Sequence, residues 1–147
     1  MSIFSAMNIS ASGMTAQQFR TDIIAENIAN VNTTRDQYGN TYRRQTVVFE
    51  EKSVANSFYE TLSLACGTTG TGVKVAAVKD DYETPMNMVY DPGNPDADED
   101  GYVTYPNVST VTEMTNMIDA SRSYEANVTA FNAAKSMALR GLEVGKS

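Results

Sequence analysis

"TVTEMTNMIDASRSYEANVTAFNAAKSMALRGLEVG", residues 110–145, is the longest helical pattern in the chain. Apolar side chains recur in it at steps of three, four and seven, as they do on one face of a helix. That seam contains Met114, Met117, Ser121, Tyr124, Val128, Phe131, Ala138 and Leu142, and it is widened by Val111, Ile118 and Leu139. A helix of this size is about 54 Å long. The segment 107–147 is therefore predicted to be one extended helix rather than part of a globule.

The ends of this helix carry start and stop signals. Thr110 and Glu113 have the spacing of a capping box, and Asn107 or Ser109 could serve as the cap instead. Gly145 is predicted to follow the last turn.

Residues 1–33 also have helical period, and they contain no proline. One heptad seam holds Ile3, Met7, Met14, Ile24, Ile28 and Val31, and a second stripe holds Ile9, Ala16, Phe19 and Ile23. A helix with two apolar stripes has more than one neighbour. We expect this N-terminal arm to pair with the C-terminal helix as a coiled-coil-like arm, and we expect other subunits to cover the remaining stripes. The alternative is a monomer with a third layer of structure.

Three asparagines lie at the end of the first helical pattern, in "IAENIANVNTTRD", residues 24–36. Asparagine lowers helix propensity because its side chain competes for backbone hydrogen bonds. Asn27 and Asn30 are predicted to fix the register of helix pairing. Asn32 is predicted to end the helix in a left-handed conformation.

A polar cluster, "ASRSYEAN", interrupts the C-terminal helix at residues 120–127. One interpretation is a second register key that includes Arg122, Tyr124, Glu125 and Asn127. The other is a solvated face on which Arg122 and Glu125 pair at i,i+3.

Residues 34–106 hold six of the nine glycines and all four prolines. A turn is predicted at 38–40, and strands are predicted at 42–49, 73–79, the end of "MNMVY" (86–90) and 102–105. The predicted fold class is therefore α+β, with a small, mostly antiparallel β unit between two long helices.

The acidic residues are concentrated in one segment. Residues 80–100 hold eight of the eighteen acids and no base, which leaves ten acids against eleven bases elsewhere. This acidic loop is either solvated or a docking strip. Since the chain has no basic patch, nucleic acid is not an expected partner.

The pattern "DADEDG", residues 96–101, begins like a calcium-binding EF-hand loop. It then lacks the glutamate at position 12, where Asn107 stands, and its flank "YDPGNP" cannot be helical. An acidic turn with Gly101 at positive φ is the better prediction. "GTTGTG" (67–72) lacks the Lys-Ser/Thr of a phosphate loop.

The composition argues against enzyme chemistry. The chain has no histidine, so imidazole catalysis and Cys–His nucleophiles are excluded, and its one cysteine, Cys66, is expected to be a plain thiol. We expect no catalytic, cofactor or metal residues. The N-terminus lacks the basic and apolar regions of a secretory signal, and no apolar run is long enough to insert in a membrane. Taken alone, these features predict a cytoplasmic protein.

Two segments resemble the rod and hook group of bacterial flagellar axial proteins. "SGMTAQQFRTDIIAENIANVNTT" (12–34) resembles the N-terminal motif of the whole group. The run from "YDPGNPDADEDGYV" to "GLEVG" (90–145) is similar to the C-terminal half of its proximal rod subunits. Residues 35–89 carry no such resemblance.

The resemblance implies a structural subunit and not an enzyme. It implies export by the flagellar type III apparatus without signal cleavage, and assembly with other rod subunits and further copies into a torque-transmitting shaft in the periplasm. We expect the subunit interface to include Ile24, Asn27, Ile28, Asn30, Met114, Met117, Ile118, Arg122, Tyr124, Glu125, Asn127 and Phe131. The alternatives are a cytoplasmic coiled-coil adaptor with a β insert, and a calcium-binding module.

Overall fold

The computed structural model describes residues 3–36, 38–52, 62 and 71–145. Their order is α1 (Ile3–Ala29), β1 (Gln45–Glu51), β2 (Val73–Asp80), β3 (Asn87–Tyr90), β4 (Tyr102–Tyr105) and α2 (Thr110–Val144). The predicted α+β class, with a long helix at each end and a β unit between them, is confirmed. Cys66 and most of the "GTTGTG" segment lie outside the described residues.

The strands form two sheets of two strands each. In the first, β1 pairs with β2. In the second, β3 and β4 are antiparallel, with Asn87 opposite Tyr105 and Tyr90 opposite Tyr102. β4 has the predicted bounds, whereas β1 begins three residues later than predicted. The Arg44 N–H donates to the Asn107 side chain at 2.9 Å. The N–H group just before β1 therefore bonds to a side chain and not to a neighbouring strand.

The chain divides into two units, each of which takes part of α1, part of α2 and part of the strands. The first contains residues 1–19, 49–76 and 120–147, and the second contains residues 20–48 and 77–119. In the first unit Gly13 of α1 lies against Asn127 of α2. In the second unit Asn27 of α1 donates to Glu113 of α2. The predicted pairing of the terminal helices is therefore confirmed.

Helix contact in the first unit depends on small residues. Ala16 of α1 and Ala134 of α2 are buried. A Cβ atom at Gly13 would lie only 2.7 Å from Asn127 Oδ1. The Asn127 side chain is itself held, because its Nδ2 donates to the Ser123 carbonyl at 2.8 Å. Gly13, which lowers helix propensity, therefore permits a close approach of the two helices.

Replacing Gly13 by alanine should destabilise the chain, although alanine favours a helix by about 1 kcal/mol. The added methyl group would displace the Asn127 side chain from its hydrogen bond, and such overpacking costs about 1–3 kcal/mol. We expect urea unfolding to show a net loss of about 1 kcal/mol. The same change made in an Asn127→Ala background should stabilise the chain. A Gly13→Ala effect that is equal in both backgrounds would contradict this contact.

The end of α1 differs from the prediction made for Asn32. Among the described residues, only glycines have positive φ, so Asn32 is not left-handed. Tight backbone bonds end the helix instead: the Val31 N–H donates to the Ile28 carbonyl at 3.3 Å, and the Thr33 N–H donates to the Asn30 carbonyl at 3.0 Å. The Asn30 side chain adds to this turn, because its Nδ2 donates to the Glu26 carbonyl at 3.0 Å and its Oδ1 accepts from the Thr33 hydroxyl at 3.1 Å. Bonds of the i→i+3 type satisfy carbonyls at a helix end without a left-handed residue.

The start of α2 also corrects one prediction. The Ser109 carbonyl accepts the Glu113 N–H at 2.9 Å, which places Ser109 at the N-cap. The reciprocal capping box of Thr110 and Glu113 is wrong, because the Glu113 carboxylate bonds to Asn27, Arg44 and Asn116. The Glu113 carboxylate therefore pairs with distant residues inside the chain and does not cap the start of α2.

The acidic turn between β3 and β4 has the predicted geometry at Gly101, whose φ is +79°. Asp98 accepts the Gly101 N–H at 2.9 Å through its backbone carbonyl. The turn is tied to the segment after α1, because Asp96 accepts from the Thr34 hydroxyl at 2.7 Å and pairs with Arg35 at 3.3 Å. Among the described side chains no group of three or more potential ligands could hold a metal ion.

Candidate subunit interface

An exposed apolar stripe runs along the first turns of α2. Its members are Val111, Met114 and Ile118, which are 76%, 57% and 54% exposed. They are spaced by three and four residues, so they share one side of the helix. We call these three residues the exposed α2 stripe. Contiguous apolar groups of this kind on a protein surface mark an interaction site.

A different set of α2 residues faces the interior of the chain. Glu113, Ala120 and Ala134 of α2 are buried, and they are spaced by seven and fourteen residues. Asn127 fills the intervening heptad position and is partly buried. The helix therefore packs within the chain through small and polar side chains. Of its larger apolar residues, Val111, Met114 and Ile118 remain exposed.

Asn27 lies at the centre of a buried polar cluster in the second unit, and its side chain is fully buried. Its Oδ1 accepts from the Tyr42 hydroxyl at 2.9 Å and from the Gln45 N–H at 2.8 Å. Its Nδ2 donates to the Gln45 carbonyl at 2.8 Å and to Glu113 Oε2 at 3.1 Å. All four hydrogen-bonding positions of the amide are thus used inside the chain.

Glu113 brings a buried negative charge to the same cluster. Its side chain has no exposed surface, and its Oε1 accepts from Arg44 Nε at 2.9 Å and from Arg44 Nη2 at 2.8 Å. Asn116 Nδ2 also donates to it, at 3.2 Å. A buried carboxylate is tolerated only when a cation and hydrogen bonds compensate it, and here both are present.

Asn107 connects the loop before α2 to the buried polar cluster around Asn27 and Glu113. Its Oδ1 accepts the Arg44 N–H, and its Nδ2 donates to the carbonyls of Asp81 at 3.0 Å and Thr84 at 3.2 Å. The Thr84 N–H and hydroxyl also bind the Asp81 carboxylate, and they hold the pKa of Asp81 below its usual range. The cluster therefore joins four separate parts of the chain.

Burial and neighbouring negative charge raise the pKa of Tyr42 to about 12. Burial is the larger cause, and the carboxylates of Glu26, Asp80 and Glu113 add to it. The hydroxyl is therefore protonated at neutral pH, as its donation to Asn27 requires. Tyr42, like Arg44 and Glu113, was not predicted to belong to a cluster. No spacing in the sequence signals the cluster, because Tyr42, Arg44 and Glu113 meet only in the tertiary structure.

The structure places the predicted interface residues in three groups. Ile24 and Asn27 are buried within the chain; Ile28, Asn30, Met117, Asn127 and Phe131 are partly exposed; Met114, Ile118, Arg122, Tyr124 and Glu125 are exposed. Arg122 and Glu125 form no ion pair with each other in the described part of the chain. The exposed group is the one accessible to another subunit.

Neither α1 nor α2, within the described residues, contains an apolar stretch long enough to cross a membrane.

Family profiles match both ends of the chain. A profile described as "Flagella basal body rod protein" matches residues 7–35. A second, described as "Flagellar basal body rod FlgEFG protein C-terminal", matches residues 99–144. The matched segments contain most of α1 and all of α2, together with β4.

Curated relatives cover nearly the whole chain. The flagellar basal-body rod protein FlgC of Bacillus subtilis is 42% identical, over 99% of this chain and 100% of its own length. The protein of that name from Borreliella burgdorferi is 43% identical over 93% of each chain, and one from Escherichia coli is 40% identical over 99% and 100%. The chain belongs to the FlgC-type flagellar basal-body rod proteins, and it is a structural subunit of the proximal rod of the bacterial flagellum.

Proposed function

We propose that this subunit polymerises in the rod through its terminal helices, and that the exposed α2 stripe is a contact with a neighbouring subunit. The observation that carries the proposal is the exposure of Val111, Met114 and Ile118 on a helix whose other side is already packed. Burying a large aliphatic side chain contributes about 1.5–3 kcal/mol. Contact with a neighbour thus stabilises a surface that is unfavourable in the free chain.

The buried polar cluster orients the stripe. Glu113 is held inside by Arg44 and Asn27, and the next residue, Met114, is turned by about 100° around the helix axis. A rotation of α2 would remove the carboxylate from its partners. Because an unpaired buried charge is costly, the cluster selects one rotational setting and keeps Met114 and Ile118 outward. Asn27 therefore serves this interface from inside the chain, as a register key.

A contact between different surfaces of successive subunits produces an open helical assembly. The three relatives named above are called flagellar basal-body rod proteins, which supports association with other rod components. We propose that these neighbours are other rod subunits and further copies of this chain, and that the shaft lies in the periplasm. The chain would reach it through the flagellar type III apparatus without signal cleavage, and it would have no enzymatic activity. The relatives' names do not support a cytoplasmic adaptor.

Chemical labelling tests the proposed contact. Ile118→Cys, in a Cys66→Ser background, should react rapidly with a water-soluble maleimide in the purified free chain. In isolated basal bodies the same thiol should react at least about tenfold more slowly, because a closely packed interface excludes the reagent.

A thiol placed at Asn40, which is exposed in the turn before β1, provides the control. It should react at similar rates in the free chain and in the basal body. Equal reactivity of Ile118→Cys in the two states would show that the stripe is not an interface.

A further inference from the structure

We propose that the acidic β3–β4 hairpin of one copy of this chain docks in a second copy on the segment of α2 that carries Lys135 and Arg140, before the last turn of that helix. This inference rests on the proposed function, because it names a second contact of the same assembly. We use "acidic hairpin" for residues 87–105 and "basic helix end" for residues 135–142.

The acidic hairpin presents an apolar face beside unpaired negative charge. Met88 and Tyr90 alternate on β3, and Tyr102 lies opposite Tyr90, so the three share one face. They are 60%, 64% and 42% exposed, and the two tyrosine rings meet edge-to-face with centroids 5.3 Å apart. An exposed face of this kind on a two-stranded sheet is a site for a partner.

The charge at the tip of the hairpin is not compensated within the described part of the chain. Asp96 pairs with Arg35, but the exposed carboxylates of Asp98, Glu99 and Asp100 form no ion pair there. The hairpin contains five acids and no base. Its partner should therefore combine positive charge with apolar side chains.

The basic helix end has that combination. Its sequence, "KSMALRGL", contains two cations, and the nearest acid is Glu143, the residue that follows it. Met137, Leu139 and Leu142 are 60%, 53% and 67% exposed, so apolar groups face outward on more than one side of the helix. Lys135 and Arg140 are exposed and form no ion pair among the described residues.

The acidic hairpin and the basic helix end carry opposite charges, and both expose apolar side chains. Lys135 and Arg140 can pair with the carboxylates at the tip, and an arginine or lysine can also lie over an exposed tyrosine ring. Leu139 and Leu142, which are three residues apart and share one side of α2, would cover the Met88 and tyrosine face. Since the two surfaces are different, the contact joins copies head to tail and leaves each end open for another copy.

Charge reversal in the full chain tests this contact. One variant carries Asp98→Lys, Glu99→Lys and Asp100→Lys, and the other carries Lys135→Glu and Arg140→Glu. Sedimentation velocity should show each variant associating about tenfold more weakly than the unchanged chain, since each lost exposed pair weakens association severalfold. The combination of all five changes in one chain should restore association to within about threefold, because the pairs re-form with exchanged signs.

Salt provides a second measurement. Association of the unchanged chain should weaken between about 0.05 and 0.5 M salt, where the Debye length shortens severalfold. The proposal is overturned if the unchanged chain stays monomeric, if neither variant has an effect, or if the five changes together do not restore association. The last result would mean that the hairpin or helix end meets a different protein.

This test separates the two proposals. Protection of Ile118→Cys without rescue by charge exchange would leave the α2 stripe as an interface and eliminate the hairpin contact. Rescue without protection of Ile118→Cys would establish the hairpin contact and eliminate the stripe.

Discussion

Replacing Ile118 by aspartate is expected to prevent incorporation of the subunit into the rod while leaving the chain folded. Ile118 is 54% exposed in the free chain, so a carboxylate there remains hydrated. In the assembled rod the same position would be buried against a neighbour. The substitution would remove about 1 kcal/mol of apolar burial, since contact buries only the exposed half of Ile118, and it would add the larger cost of burying an unpaired charge. Association should weaken by roughly a thousandfold or more, which would be seen as loss of motility and of the subunit from isolated basal bodies.

Val78→Asp is the matched control for this substitution. Val78 lies on β2, is 38% exposed, and receives the same charged side chain. We expect that variant to assemble nearly normally, and urea unfolding should show that both variants remain folded, each with a modest loss of stability. Normal incorporation of Ile118→Asp would remove the α2 stripe from the interface.

Elements with local signals were predictable from the sequence. The long helical patterns extended over many turns, and both predicted helices are present within a few residues of their expected ends. Tyr102–Tyr105 was bounded by turn residues on both sides, and it is the strand whose bounds were predicted correctly. Gly101 adopts positive φ because the turn after Asp98 requires it. Each of these features depends on residues that are close together in the sequence.

The inner face of α2 could not be predicted in the same way. Hydrophobic periodicity selects the side with Met114, Tyr124 and Leu142, yet all three are exposed in the free chain. The side that packs within the chain carries Glu113, Ala120 and Asn127 instead. A periodic apolar pattern shows that one side of a helix favours burial, but it does not show whether that side packs within the chain or against another chain. The structure shows which side of α2 is packed within the chain.

The buried cluster escaped prediction because its members are distant in sequence. Arg44 and Glu113 are 69 residues apart, and Asn27 and Glu113 are 86 apart. The sequence pattern assigned Glu113 to a helix cap, and it assigned Asn27 to a register key without identifying its partners. The burial of both residues and the two hydrogen bonds from Arg44 to Glu113 Oε1 follow from tertiary structure, which no spacing in the sequence encodes.

Replacing Arg44 by methionine is expected to cause the largest loss of stability of any single change considered for this chain. Methionine fills much of the volume of the arginine stem, but it leaves the Glu113 carboxylate buried without its cation. Removal of one partner of a buried ion pair costs about 3–5 kcal/mol. Urea unfolding of the purified chain at neutral pH should therefore show a loss of that size. Neutralising the carboxylate with Glu113→Gln in the same chain should recover about half of it or more, because no buried charge then remains unpaired.

Arg43→Met supplies the control at the adjacent position. The guanidinium of Arg43 lies 4.6 Å from the centroid of the Tyr82 ring, and its Nη1 donates to the Asp81 carbonyl at a long 3.4 Å; it forms no ion pair with Glu113. A cation–π contact at a partly exposed site is worth about 0.5–1 kcal/mol and a long hydrogen bond adds little, so this variant should lose about 1 kcal/mol. If Arg43→Met and Arg44→Met were equally destabilising, or if Glu113→Gln worsened the Arg44→Met chain, the buried charge would not be the cause of the loss. The cluster would then stabilise the chain by side-chain packing alone.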